Sequence, residues 1–573
     1  MAPQRRPTTS RSGWAMVLVA GIVLLGASGC TSLDEYLRNG FQVGPDYGRP
    51  PAPIADHWID SGDNPRLLSD RSSIADWWTL FNDPVLNGLV RSAYQQNLTV
   101  REAGFRVLAA RASRRIAVGN LFPQTQTGNG GFTREALSTA SANTSFVQDR
   151  FYSIWDYGFS LAWELDIWGR YRRAIEAADA NLDVSVEEYD GVLVTLIADV
   201  ASSYVSYRTA QSQIELATRS VKLQEISVSI AKARYKGGET SKIDVDQSEA
   251  ILAQTQAIIP QQEIILRQAN NSLCVLLGIP TTDLAPILGE GPIPKAPVDV
   301  AVGLPADLLR RRPDVRQAER EVAAQSAEIG IAETDLYPLI SITGVLDYNG
   351  QDLGNLFRSN AFAGTIGPSF KWNIFNYGRI RANVELQRAE FQQLIAAYQQ
   401  TVLTANQEVE NGIVFLFKSE EQAEYLLKSV LADQEAVSAA VVQYRDGLAN
   451  FTSVALLEQD LVDQQVSYVD TLGNVALGFV DIYRALGGGW QIRCQPPSED
   501  EMYATEPPHS LSDSLPFLEL PLPNAGANQQ AAPKPESTPK PKVESVPKVT
   551  LPSTAPSEPS GVEALENLEK EAP

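Results

Sequence analysis

The chain copies itself. Leu121-Phe122-Pro123 returns as Leu336-Tyr337-Pro338, an offset of 215 residues, and the approach to it matches too: Val100-Arg101 with Val315-Arg316, Ala103 with Ala318. Farther on the offset is 209 and holds, pairing Trp163 with Trp372, Gly169-Arg170 with Gly378-Arg379, Tyr235 with Tyr444, Gly238 with Gly447, Glu249 with Glu458 and Gly278 with Gly487. A six-residue length difference between Pro123 and Trp163 accounts for the change. A unit of roughly 200 residues is far longer than a solenoid repeat. The 573 residues are therefore one doubled architecture and its flanks, and whatever one half folds into, the other folds into as well. The two copies are assigned to 85–290 and 306–490, joined by a linker at 291–305 and preceded by a segment at 30–84.

Within each copy the hydrophobic period changes twice. Residues 85–118 and 306–334 are helix-like, rich in Ala, Arg, Glu and Leu. After the Leu-aromatic-Pro step the period becomes two. Trp155, Tyr157, Phe159, Leu161, Trp163, Leu165 and Ile167 alternate with Asp156, Gly158, Ser160, Ala162, Glu164 and Asp166; Phe362, Ile366, Phe370, Trp372 and Ile374 alternate with small or polar residues in the second copy. Each copy thus offers one long hairpin, 122–168 and 337–376. One face is aromatic and aliphatic and the other polar. Such a strand suits a half-buried sandwich or a transmembrane barrel with lipid outside and water inside. Nothing else in the chain reads as sheet. Four strands cannot close a barrel, and a bilayer tolerates no open edge. If these strands span a membrane, other copies of the chain must complete the barrel.

Past each hairpin lies a very long helical stretch. Residues 172–235 and 381–444 contain no Pro and one Gly each, Gly191 and Gly412, and at 1.5 Å per residue each runs roughly 95 Å. Leu193, Ile197, Val200, Tyr204 and Tyr207 are spaced 4-3-4-3, a coiled-coil seam. Both helices break at a Tyr-basic-x-Gly turn, Tyr235-Lys-Gly-Gly238 and Tyr444-Arg-Asp-Gly447, and a second helix returns to about 277 and 486. Pro260 is expected to kink or interrupt the first returning helix.

The ends are different material. Residues 1–29 have a basic start, Arg5, Arg6 and Arg11, then an apolar run from Trp14 to Leu25 that is too short to span a bilayer and suits a signal peptide. Gly26-Ala-Ser-Gly-Cys30 resembles a bacterial lipobox with Ala27 where Leu is usual. Read so, Cys30 becomes a diacylated mature N-terminus and the lipid anchor, sorted to the outer membrane since residue 31 is Thr rather than Asp; an ordinary secretory signal with an incidental Cys is the alternative. Residues 491–573 hold 16 of the 35 Pro and few large apolar residues after Leu522, so this tail cannot bury enough surface to fold alone.

The net charge is −22, with three Cys and two His. The acidity argues against nucleic-acid binding, which needs a clustered basic face. The few Cys exclude a disulfide-stapled scaffold. His57 and His509 lie near opposite ends and read as surface residues, and Cys274 and Cys494 as bystanders. No His, Cys or Ser constellation recurs, so neither an enzyme nor a metal or cofactor site is indicated. A structural coiled-coil surface lipoprotein explains the helices but not the amphipathic hairpins.

At this point the chain resembles the TolC superfamily of outer-membrane efflux ducts, in its lipoprotein branch. The resemblance covers about residues 30–490. It rests on the lipobox, Val43-Gly-Pro-Asp-Tyr47, Asp76-Trp-Trp-x-Leu-Phe81, Leu304-Pro-x-Asp-Leu-Leu-x-Arg-Arg-Pro-Asp-Val-Arg316, Tyr377-Gly-Arg379 and Tyr483-x-Ala-Leu-Gly-Gly-Gly-Trp490, in this order on a duplicated chain. It implies an α/β membrane protein: long α-helical hairpins plus one transmembrane β-hairpin per repeat, and a homotrimer forming a 12-stranded barrel in outer-membrane lipid above an α-helical periplasmic tunnel. The implied work is passive conduction of drugs, toxic compounds or metal ions, or alternatively of protein in type I secretion. The implied partners are a periplasmic adaptor and an inner-membrane pump, of the resistance-nodulation-division type.

Carried over by position, the resemblance puts the adaptor-contacting tips at 236–243 and 445–452, with Lys236, Gly237, Gly238, Arg445, Asp446, Gly447 and Leu448 at the turns. The family's acidic gate position falls on Asp244, with Asp246 close by. In the second copy Ser453 and Leu456 stand where some relatives hold Asp, and Ala449 where some hold a locking Arg. Glu458 and Asp460 follow, as further gate candidates or as a solvated face. Inward-facing Asp156, Glu164 and Asp166 are expected to give the barrel lumen a negative wall that Lys371 partly offsets.

Overall fold

The computed structural model describes residues 33–59, 65–68, 74–138, 140 and 149–494. The lipid-anchor position Cys30, the leader 1–29 and the tail beyond residue 494 lie outside them.

The two copies give the same succession of helix, strand, strand and two long helices, with the helices of that succession matched in length. Copy one contains α1 (Pro84–Gln96), α2 (Leu98–Gly119), strands β1 (Thr125–Ala136) and β2 (Phe151–Glu164), then α3 (Arg170–Lys236) and α4 (Lys242–Leu276). Copy two contains α5 (Pro313–Thr334), β3 (Leu339–Gly350), β4 (Phe362–Lys371), α6 (Arg379–Arg445) and α7 (Phe451–Ala485). Helices α3 and α6 have 67 residues each, α4 and α7 have 35 each, and α2 and α5 have 22 each.

Local chemistry sets these boundaries. Asp83 caps α1, its carboxylate accepting from the Val85 and Leu86 amides, with Pro84 in the first helical position. Asn97 caps α2 through the Val100 amide. The long helices stop in Schellman turns, where the Glu239 amide reaches the Arg234 carbonyl at 3.0 Å and the Leu448 amide reaches the Gln443 carbonyl at 2.8 Å. Gly238 and Gly447 make this possible at φ of +78° and +77°. Helix α4 runs unbroken from Lys242 to Leu276 with Pro260 inside it. The expected interruption is therefore absent: Pro260 sits on the exposed side of the helix, and the helix continues past the one backbone donor that Pro lacks.

The strands form one antiparallel sheet in the order β1-β2-β3-β4, both edges open. The ladder pairs Thr125 with Ala162 and Leu339 with Lys371. Since Ala162 and Lys371 are 209 apart, their partners Thr125 and Leu339 correspond at an offset of 214. The length difference between copies thus falls in two places, with Gln124 as one extra residue and the other five in the hairpin tip. Gln124 is held where it is added, its Oε1 accepting from the Glu164 amide at 2.7 Å. Pairing keeps the apolar residues on one face, as in the Phe132–Trp155 and Tyr348–Phe362 ring pairs at 4.5 and 5.4 Å.

The core lies between the helices. Leu193, Ile197, Val200, Tyr204 and Tyr207, the predicted seam, are all no more than 2% exposed. Trp77 stacks on Tyr483 at 5.7 Å. The short sequence motifs on either side of the repeats turn out to fasten segments together. Arg173, 2% exposed at its side chain, holds Asp46 at 2.8 Å and the carbonyls of Val43 and Gly44. The Tyr47 hydroxyl donates to Glu319 Oε1 at 2.7 Å. Arg312 joins Asp314, Glu408 and the Ala485 carbonyl. Arg316 pairs with Glu187 and Asp190 and lies over the Trp490 ring at 4.6 Å.

Candidate functional site: the helical tips and the strand faces

The two helical hairpins meet at their tips. An apolar knot of Ala231, Val245, Ile251, Ala440, Tyr444, Phe451, Val454 and Ala455 joins all four helices there, and the Tyr444 and Phe451 rings meet edge to face at 5.2 Å. Polar contacts fasten its rim. The Tyr444 hydroxyl donates to Asp244 Oδ2 at 3.3 Å, and the Thr240 hydroxyl donates to the same oxygen. From α3, the Arg234 guanidinium lies 4.6 Å from the Tyr444 ring centroid and donates to the Tyr444 carbonyl. Burial pushes the Tyr444 phenol above its usual range, and the Asp244 charge adds to that while Thr240 and Arg234 oppose it. At neutral pH the hydroxyl therefore keeps its proton and serves as donor.

Asp244 thus sits inside the contact between hairpins, partly buried. Asp246 is exposed and paired with Lys242 at 3.5 Å. Ser453 is exposed and bonded to the cap residue Asn450, and Leu456 is 58% exposed. Lys236, Gly237, Gly238, Arg445, Asp446, Gly447 and Leu448 are all exposed at the two turns. Glu458 differs from its expected place. It is 6% exposed, accepts from the Ser227 hydroxyl of α3, and so faces the helix seam within the chain. Burial pushes its carboxyl above the ordinary range, partly offset by Ser227.

Glu458 belongs to a polar ladder that the sequence reading missed. Ser220 donates to Gln465 at 3.4 Å, and Gln213 donates to Asp470. The residues 213, 217, 220, 224, 227 and 231 resume the alternation of steps of four and three after a six-residue step from Tyr207. That spacing was the available signal, hidden by the change of phase and because the side chains are small or polar.

In the sheet, Asp156 stands opposite Gly131 and Asn349, and Glu164 opposite Ser341, on the polar face. Lys371 is on that face at the β4 edge. Asp166 is a correction. It lies beyond the end of β2, and its carboxylate accepts from the Tyr171 and Arg172 amides and the Arg172 side chain at 7% exposure. It caps the start of α3 and adds nothing to a lumen wall. Among the described residues no cluster of metal-binding side chains occurs, and no helix is long and apolar enough to cross a membrane.

The family model for "Outer membrane efflux protein" matches residues 89–279 and again 304–488, once on each copy. The chain belongs to the outer membrane efflux protein family. Nodulation protein T of Rhizobium leguminosarum bv. viciae is 30% identical over 463 residues, 79% of this chain and 92% of that protein. The toluene efflux pump outer membrane protein TtgF of Pseudomonas putida is 31% identical over 470 residues, 80% and 96% of the two chains. Among solved structures, the outer-membrane channel OprN superposes with a TM-score of 0.73 at 31% identity, covering 78% of this chain and 99% of its own. CusC gives 0.68 at 25% identity. As an outer membrane efflux protein the chain is a passive outer-membrane conduit and not an enzyme. Members of this family form trimeric channels that work with a periplasmic adaptor and an inner-membrane pump.

Proposed function

We propose that this chain conducts small organic molecules outward through a trimeric duct whose periplasmic mouth is held shut by the contact between helical hairpins at Arg234, Tyr444 and Asp244. One observation carries the reading: a four-stranded sheet with an apolar face and two open edges is attached to a pair of 67-residue helices whose ends are tied by bonds weak enough to break. Relatives named for toluene and antibiotic efflux support small molecules over protein as cargo.

Opening costs the Tyr444–Asp244 bond, the Arg234–carbonyl bond and one cation–π contact. Each contributes about 0.5–3 kcal/mol, a sum within reach of a docking adaptor. The exposed turns at Lys236–Gly238 and Arg445–Leu448 are the surface on which that adaptor acts. Asp244, released from Tyr444, then lines the mouth beside Asp246, and the two favour cations. Asp156 and Glu164 give the barrel wall the same sign.

The test is single-channel conductance of the purified full chain in planar bilayers. Wild type is expected to sit in a low-conductance state, and Arg234→Ala combined with Tyr444→Phe to raise conductance several-fold. A wild type that inserts and carries no current under any condition would sink the duct reading. Unchanged conductance in the double variant would sink the assignment of the gate.

A further inference from the structure

The strand-to-helix junction of copy one is covered, and that of copy two is bare. In copy one Asp166 accepts from the Tyr171 and Arg172 amides. The Arg172 guanidinium donates to the Asp166 carboxylate at 2.9 Å and to the Gly40 and Phe41 carbonyls at 2.7 Å each. The segment that brings those carbonyls is held further along. The Tyr36 hydroxyl donates to the Ile167 carbonyl at 2.9 Å, and the Val43 amide to the Trp168 carbonyl at 3.0 Å. It lies so close that a Cβ at Gly169 would come within 2.9 Å of the Gln42 Cα. One chain has a single N-terminal segment for two such junctions, so copy two goes without.

Shifted by 209, Gly169 becomes Gly378, where a Cβ would meet nothing within 4 Å. Arg172 becomes Arg381, which is exposed and whose guanidinium has no hydrogen bond or ion pair among the described residues. Asp166 becomes Phe375, 91% exposed, so an apolar ring replaces the carboxylate. The Ile380 and Arg381 amides in the first turn of α6 accordingly have no side-chain cap. The result is a groove of about 420 Å³ whose wall includes Leu336, Trp372, Ile374, Phe375 and Arg381 and no carboxylate. An occupant must bring anionic oxygens for the guanidinium and the amides, and hydrocarbon for the rings and aliphatic side chains.

The level of the groove fits such a molecule. Strand β4 ends at Lys371 and the groove begins at the next residue. Trp372 and Ile374 continue the alternation of the apolar face. The Trp372 indole donates to the Leu336 carbonyl at 3.0 Å, as Trp163 does to Leu121 at 3.2 Å, and Trp is enriched where a bilayer meets water. The helix that leads into the covering segment starts at Leu33, three positions after Cys30, the anchor read from the sequence.

We propose that the groove at the start of α6 binds an anionic phospholipid of the periplasmic leaflet, with the phosphate on Arg381 and the first-turn amides and an acyl chain along Ile374 and Phe375. The inference rests on the channel reading above, which puts this junction at the edge of the bilayer. The phosphate takes the place that the Asp166 carboxylate and two peptide carbonyls hold in copy one. A guanidinium and a helix N-terminus both suit phosphate. Phe375 removes the internal competitor for Arg381 and supplies the surface for the lipid chain.

Native mass spectrometry of the full-chain trimer in detergent tests this, with phosphatidylglycerol, diacylglycerol of the same acyl chains and glycerol phosphate as probes. Wild type is expected to retain phosphatidylglycerol at one per chain and to lose diacylglycerol, with glycerol phosphate displacing the lipid poorly. Arg381→Gln should weaken phosphatidylglycerol binding about tenfold, and Arg381→Lys should keep most of it. Phe375→Asp gives Arg381 an internal carboxylate like that of Arg172 and should weaken binding as much, with the trimer intact. Equal retention by wild type, Arg381→Gln and Phe375→Asp would overturn the site. Diacylglycerol retained as firmly as phosphatidylglycerol would overturn the phosphate contact, and ready displacement by glycerol phosphate would overturn the lipid in favour of free phosphate. A wild type recovered only as monomer, before any lipid is added, would instead overturn the channel reading.

Discussion

The Tyr444 hydroxyl donates to the Asp244 carboxylate across 3.3 Å, and this bond joins the second helical hairpin to the first at their common end. Its removal alone, in Tyr444→Phe, keeps the ring for Phe451 and for Arg234. The expected cost is about 1 kcal/mol. Cells carrying it should admit a bulky antibiotic slightly better than wild type, and cells carrying Arg234→Ala as well should admit it much better. Growth inhibition by a large, normally excluded antibiotic reads both.

Glu458 has a pH signature of its own. Burial raises its folded-state affinity for a proton, so the folded form holds that proton through a pH range in which the unfolded chain has released it. Stability from this group is complete below the ordinary carboxylate range and falls as pH rises through it toward the raised value. Glu458→Gln should therefore raise the melting temperature at pH 7 and leave it unchanged at pH 4. Thermal melts at the two pH values check this, and an equal shift at both would point to packing instead of protonation.

Two glycines in left-handed turns should respond differently to Ala. At Gly447 a Cβ meets nothing closer than the Arg234 guanidinium at 3.5 Å, an ordinary contact, so the cost is the conformational strain alone, roughly 1–2 kcal/mol. At Gly487 the Cβ would lie 2.9 Å from the Arg312 Cα and 3.1 Å from the Arg311 carbonyl, and backbone must move. Gly487→Ala should be clearly the more destabilising of the pair in parallel denaturation curves.

Arg173 clamps residues 43–46 against the start of α3. Replacing it by Ala strips Asp46 and two carbonyls of a charged donor, at a cost of about 2–3 kcal/mol. The segment should then become accessible to protease under conditions in which wild type resists. Limited proteolysis with mapping of the cut sites is the measurement.

Much of this was legible in the residues, for physical reasons that differ by element. The upper seam could be read because Leu193, Ile197, Val200, Tyr204 and Tyr207 are large and apolar at coiled-coil spacing. The lower seam could not, since Gln213, Ser220 and Ser227 carry the same spacing in side chains that usually face water. Asp166 continues the alternation of β2 by position, yet the pairing stops at Glu164 and the free amides of α3 claim its carboxylate. Arg234 gave no signal. It lies in the last turn of a helix, where a cation is ordinary, and only the arrival of Tyr444 from 210 residues away gives it a task. Asp244 could be singled out only by likeness to relatives, since nothing local separates it from Asp246 two residues on.

The matched helices, 67 and 67 residues down and 35 and 35 back, make the length of this protein a shared quantity. A residue deleted from α3 alone would lift one tip by about 1.5 Å and turn it by about 100°, tearing Asp244 from Tyr444 and every rung of the polar ladder from its mate. A deletion of about seven residues, one heptad, made at one level in all four helices, would shorten the protein and leave each pairing in step. Reach across the compartment can therefore drift only in whole heptads taken by both halves together, and a single insertion in one limb registers as a broken closure long before it registers as a longer protein.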